Sequence, residues 1–281
     1  MWDTFFSPII IQAFVIGGLS AIAFGLIGVF IVVRRIGYLA GAIAHCAFGG
    51  IGVGIGLQYL ATLSSFAVFQ VFVPDPMVVA MIVAIISALM IGVIRMVSKE
   101  REDTVIGAIW ATGMAIGLFL VEIVPNNRSI SNYLFGTIIF NTKEDALSVL
   151  LVSIIVFGIV FLFFKRFEAI CFDEEFARLK GVNTAFYFQL LLVLTAITVV
   201  ILVRVVGIVL VIAMLTLPAA TACRFVNRIS SACILSVIFG FISNCFGLFI
   251  SVCFNLPPGP VIVMVASLFY FVTLIITKSS R

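Results

Sequence analysis

The chain has 281 residues, of which 64% are hydrophobic and only 10% charged, and its 16 lysines and arginines against 12 acids give a net charge of +4. Soluble domains carry about 25% charged residues, and a mean hydropathy of +1.36 places this chain in a lipid membrane. The basic residues stand singly or in pairs at the ends of apolar runs, which is a pattern of membrane orientation and excludes a nucleic-acid footprint.

Runs long enough to cross a bilayer, about 20 residues each, occur at 8–33, 38–57, 74–96, 104–124, 145–164, 185–203, 206–222, 231–253 and 261–277. Backbone groups in hydrocarbon must satisfy one another, and these runs far exceed a barrel strand of about 10 residues. The expected fold is therefore an all-α, polytopic transmembrane bundle of nine spans. No hydrophilic block is large enough to fold separately, so residues 1–281 read as one domain. The first run lacks a basic segment before it and reads as a retained span; without it there would be eight spans.

The second run holds His45, the one histidine of the chain, with Gly41 a helical turn before it and Gly49 a turn after. An imidazole in hydrocarbon is costly unless it meets a partner or a cavity, so His45 is the first functional candidate; packing across helices is the alternative. Gly41, Gly49 and Gly52 share its helical face, and such small residues let helices approach closely. Glu122 lies near the end of the fourth run, just before Pro125-Asn126-Asn127-Arg128, where it could meet an arriving cation or simply sit in interfacial water.

Between the fifth and sixth runs, residues 173–183 read as a short amphipathic helix. Asp173 is placed to cap it, Glu174 and Glu175 fill its first turn, and Gly181 closes it in the left-handed conformation. In the seventh run Pro218 permits a kink, as a hinge or as a static bend. Met214, Thr216, Thr221 and Cys223 there, and Asn244 and Cys245 in the eighth run, are weaker donor candidates. The six cysteines are scattered without a CxxC spacing, which argues against a thiolate zinc site and a disulfide framework.

Threading these runs through a membrane places thirteen of the 16 basic residues on one side. That side is expected to be cytoplasmic, with the N-terminus outside and the C-terminus inside.

Six segments resemble, in order, one family: the ABC-type permeases that import zinc, manganese or iron. They are Arg34-Arg35-Ile36-Gly37-Tyr38-Leu39 with Ala44-His45; Arg101 to Gly107; Tyr133-Leu134-Phe135-Gly136 with Glu144-Asp145; the helix at 173–183; Arg204 to Ala222; and Leu256 to Val263. The resemblance implies an ABC importer permease fold in a bacterial-type cytoplasmic membrane. It also implies three partners: a cytoplasmic ATP-binding subunit, an extracytoplasmic metal-binding protein and a second permease subunit. The segment 173–183 would be the coupling helix, with Glu174, Glu175, Ala177 and Gly181 in ATPase contact. The chain has no GxxxxGK[ST] phosphate loop, so it is not expected to be an enzyme, and the divalent ion would be cargo, with no resident cofactor.

His45 would be the metal pathway residue, supported by Gly41, Gly49 and Glu122, with Pro218 as hinge. The family usually has an aspartate four residues before the histidine, and here that position is Gly41. A lone imidazole is an incomplete ligand set, which leans the expectation toward a heterodimer over a homodimer. A secondary transporter driven by an ion gradient is the competing class, and it normally needs more membrane-embedded acids than Glu122 offers.

Overall fold

The computed structural model describes residues 7–63, 74–97, 102–124, 136 and 142–278. Among them are ten helices: α1 (Pro8–Val33), α2 (Gly37–Leu63), α3 (Pro76–Val97), α4 (Glu102–Ile123), α5 (Lys143–Phe172), α6 (Glu174–Leu179), α7 (Thr184–Val206), α8 (Ile208–Phe225), α9 (Ile229–Phe254) and α10 (Pro258–Lys278). All but α6 are long and apolar enough to cross a membrane. The nine expected spans are therefore present, the first with the expected ends and the others with shifted ones. The largest extension is in α5, which continues from residue 164 to Phe172 because Phe167 and Ile170 remain buried beyond the apolar run. Arg101, Pro125 to Arg128 and Tyr133 to Phe135 lie outside the described residues.

Helix ends are set by local chemistry. The Thr142 hydroxyl accepts from the Asp145 amide and the Asp145 carboxylate accepts from the Thr142 amide, closing both ends of a capping box at the start of α5. Asp145 also pairs with Arg204 at 3.1 Å, tying that end of α5 to the last turn of α7. Gly207, at φ +85°, is the only residue between α7 and α8. Gly136 packs directly on this elbow, against the Val206 carbonyl group.

The bundle is closed by glycine contacts. Gly25 of α1 lies on the backbone of Val237 in α9, and Gly28 lies on the Leu215 carbonyl of α8. Gly50 and Gly54 of α2 rest on Ala80 and Pro76 of α3, so α2 and α3 run antiparallel. By contrast, Gly49 and Gly52 meet Gly113 and Gly117 of α4 in rising order, so α2 and α4 run parallel. Helices that cross in alternate directions must show this pattern. Buried polar groups bond across helices: Asn244 donates to the Gly17 carbonyl at 2.9 Å, Ser153 to Leu19 at 2.9 Å, and Gln189 to Ala88 at 3.2 Å. Each removes the cost of an unpaired group in hydrocarbon.

Enclosure is uneven. Of the apolar stretch of α2, 83% is buried, against 17% for α4, so α2 is the inner helix and α4 forms the rim beside it.

Two substitutions separate contact from composition. Gly28→Ala puts a methyl on the Leu215 backbone and is expected to destabilise by about 1–3 kcal/mol. Gly158→Ala, where a methyl meets nothing within 4 Å, is expected to be neutral or to stabilise by about 0.5–1 kcal/mol. Thermal unfolding in detergent would rank the two variants on opposite sides of the parent.

Candidate functional site

Between Leu39 and Gly52 every residue of α2 is buried except His45. Its imidazole faces α4. The ring stacks on the Trp110 indole with centroids 4.9 Å apart and an 18° interplanar angle, and Nδ1 lies 3.1 Å from Met114 Sδ. Trp110 and Met114 are four residues apart on α4 and so project from one face, one turn above the other. Helical rise puts His45 about 12 Å along α2 from Gly37, well inside the membrane-spanning part.

Gly41 lies against the same indole. A Cβ at that position would already touch the indole, 3.4 Å from Cζ3 and 3.5 Å from Cη2. The indole of Trp110 thus lines the space one turn below His45, where a carboxylate could share an ion with the imidazole. One turn above, Gly49 has the Gly113 carbonyl oxygen 2.7 Å from where its Cβ would stand, and Gly52 has Gly117 Cα at 2.9 Å. These two glycines hold α2 against α4 and so hold His45 against Trp110 and Met114.

The site offers an imidazole nitrogen and a thioether sulfur. Among the described residues no three His, Cys, Asp or Glu side chains converge on one point that could hold a metal ion. An ion here therefore needs further donors from water, backbone carbonyls or another chain. The outer face of α4 supplies room for one: Thr104, Gly107, Ala108, Ala111, Thr112 and Ala115 are all exposed.

The other candidates are dispersed. Glu122 is exposed at the far end of α4, about 12 Å of helical rise beyond Met114. Pro218 is buried inside α8, which runs through it to Phe225. Asn244 bonds to Gly17, and the Thr216 and Thr221 hydroxyls donate to carbonyls of their own helix. All six cysteines are free thiols.

A second candidate feature lies at the Arg34 end of the bundle. Asp173 caps α6 by accepting from the Phe176 amide at 2.9 Å, and Gly181 at φ +82° ends the turn that follows. Arg34, its side chain only 5% exposed, donates to the Ile170 carbonyl and to Glu174, both at 2.6 Å. Its guanidinium also lies over the Phe188 ring at 4.9 Å, and Arg95 packs on the same ring at 4.4 Å. Glu174 is thus tied to its own chain and Ala177 is buried against it, while Glu175, Phe176 and Leu179 stand out from α6 beside Phe172. Sequence reasoning named Ala177 as a contact residue and passed over Phe176 and Leu179. Their signal was available: large apolar side chains in a charged segment.

With this geometry in view, comparison with known proteins becomes specific. The model of the ABC 3 transport family matches residues 7–277. The chain belongs to that family. It is 38% identical over 277 residues, 98% of its own length and 92% of the relative's, to a Chlamydia pneumoniae protein named "Probable metal transport system membrane protein". It is 32% identical to the manganese transport system membrane protein MntC of Listeria monocytogenes, covering 88% of this chain and 83% of that one. Among solved structures it resembles PsaBC from Streptococcus pneumoniae in complex with Fab, with a TM-score of 0.82 and 27% identity over 97% of this chain and 93% of that one. The all-α ABC importer permease fold expected from the sequence is the fold observed.

The contact between position 41 and Trp110 is testable. Gly41→Asp alone is expected to destabilise the chain, because it sets a carboxylate in hydrocarbon against the indole. Combining it with Trp110→Ala should open space for hydration of the carboxylate, giving a favourable interaction of about 1 kcal/mol or more in a double-mutant cycle of detergent unfolding. Strict additivity would contradict the placement of Trp110.

Proposed function

We propose that this chain is the permease subunit of an ATP-driven importer of divalent transition-metal ions. In this reading the ion passes His45 where the outer face of α4 meets a second permease subunit. One observation carries the proposal: His45, a metal-ligating side chain, is the single break in an otherwise sealed stretch of α2, and it lies beside the rim helix. The metal-transport names of the relatives support the cargo class.

The division of labour follows from the chain. It supplies no nucleotide-binding loop, so a separate cytoplasmic ATP-binding subunit hydrolyses ATP, and an extracytoplasmic metal-binding protein delivers the ion at the opposite face. The basic excess puts the Arg34 end of the bundle and α6 in the cytoplasm, the N-terminus outside and the C-terminus inside. Glu175, Phe176 and Leu179 dock on the ATPase, and Gly181 sets the end of that surface. Arg34 couples the motion of α6 to α1 through Glu174 and to α5 through the Ile170 carbonyl. Pro218 is the hinge of α8, and Glu122 lies on the approach of the cation from outside. The donors at His45 are too few within one chain, so the complementary ligands come from the second permease, which favours a heterodimer.

His45→Ala in the assembled transporter is expected to reduce metal uptake about tenfold or more, with the fold intact. Uptake at the parental level would contradict the proposal, as would import that follows a proton gradient without nucleotide. Phe176→Ala with Leu179→Ala is expected to lower ATP-driven uptake while leaving unfolding unchanged, since both side chains are exposed. A pull-down of the ATP-binding subunit on this double variant reads the lost contact directly.

A further inference from the structure

The contact between His45 and Met114 joins two side chains that can each ligate a metal ion. Imidazole nitrogen and thioether sulfur both suit borderline transition ions, and two such atoms can grip one ion only when they stand within about 3–4 Å of each other. His45 Nδ1 and Met114 Sδ stand 3.1 Å apart. The two atoms approach from different helices, α2 and α4, whose spacing is fixed by Gly49 on Gly113 and Gly52 on Gly117. The imidazole plane is held by the Trp110 stack.

We propose that Met114 is a metal-contacting residue and that His45 Nδ1 and Met114 Sδ form one neutral, soft two-donor bite for the transported ion, selecting borderline ions of the zinc and ferrous class over the harder manganese ion. This rests on the proposal that the chain is a metal importer permease with His45 on the pathway. Nδ1 binds metal when the imidazole carries its proton on Nε2; with the proton on Nδ1 the same contact is an N–H donating to the thioether. Exchange between the two states moves a proton within the ring and releases none.

Position 41 is a glycine whose open side is lined by Trp110, so the site presents nitrogen and sulfur and no carboxylate oxygen from that turn. Thioether and imidazole favour zinc, copper and iron, whereas carboxylate, carbonyl and water favour manganese, magnesium and calcium. Two neutral donors also leave the charge of the ion uncompensated, so the hold is weak enough for release, as conduction demands.

The test is competitive import by the complete transporter, with its ATPase and receptor, in vesicles given zinc, ferrous and manganese salts together. The receptor is the same in every sample, so a changed ratio reports the permease, whereas a folding defect lowers all metals in proportion. Met114→Leu, which keeps volume and helix propensity, is expected to reduce the zinc-to-manganese and iron-to-manganese ratios about tenfold. Met114→Glu, which supplies a carboxylate, is expected to move both ratios further toward manganese. If His45→Ala abolishes import while both Met114 variants keep the parental ratios, this inference fails and the importer reading stands. If His45→Ala leaves import unchanged, the reading beneath it fails as well.

Discussion

Gly49 and Gly52 of α2 lie so close to Gly113 and Gly117 of α4 that the backbones are in contact and none of the four positions has room for a side chain. In a bilayer no hydrophobic force drives helices together, because lipid is as apolar as the helix surface. Close backbone approach is what makes a particular pair preferred. The rest of the site follows from this contact. It brings an inner, almost fully buried helix against a rim helix in parallel register, and it sets the spacing between them. His45 is thereby held against Trp110 and Met114 at the edge of the bundle, instead of being sealed within it.

The Arg34 end of the bundle is organised by a different force. Arg34 is nearly buried, and a buried guanidinium is tolerated only when its donors are paired. Here it is bonded to the Ile170 carbonyl and Glu174 and packed on Phe188, so one side chain joins α1, the α5–α6 junction and α7. Arg35, its neighbour, is exposed and adopts φ +58° to turn the chain into α2. Two adjacent arginines that look equivalent in sequence thus have separate roles, one as a strut and the other as a turn and orientation residue. The short α6 is fixed to the bundle through Glu174 and leaves Phe176 and Leu179 projecting. That combination is needed if a push on α6 is to be felt by the spans.

Much of this was legible in the sequence because hydrocarbon imposes blunt rules. Span number followed from apolar length, and the start and stop of α6 from Asp173 and Gly181. His45 stood out because a titratable group among glycines and alanines has no generic reason to be there. The glycine face of α2 was readable as a packing face, but its partner was not. Gly50 and Gly54 meet the sequence neighbour α3, while Gly49 and Gly52 meet α4, one span further on, and periodicity cannot say which neighbour lies on which side. Met114 and Trp110 were invisible for a related reason. Methionine and tryptophan are unremarkable in a membrane helix, and only the parallel register of α2 and α4 brings them to His45. Gly41 read as a missing ligand; in the fold its open side is also lined by an indole.

The central claim is that the translocation path runs past position 45. It is tested most directly by placing a cysteine there, in a chain whose six native cysteines are replaced, and treating the complete transporter with a membrane-impermeant thiol reagent in each nucleotide state. The account predicts labelling from the aqueous phase in one nucleotide state, protection in the other, and competition by zinc. A thiol at position 45 that never reacts, or that reacts equally in every state, would contradict it.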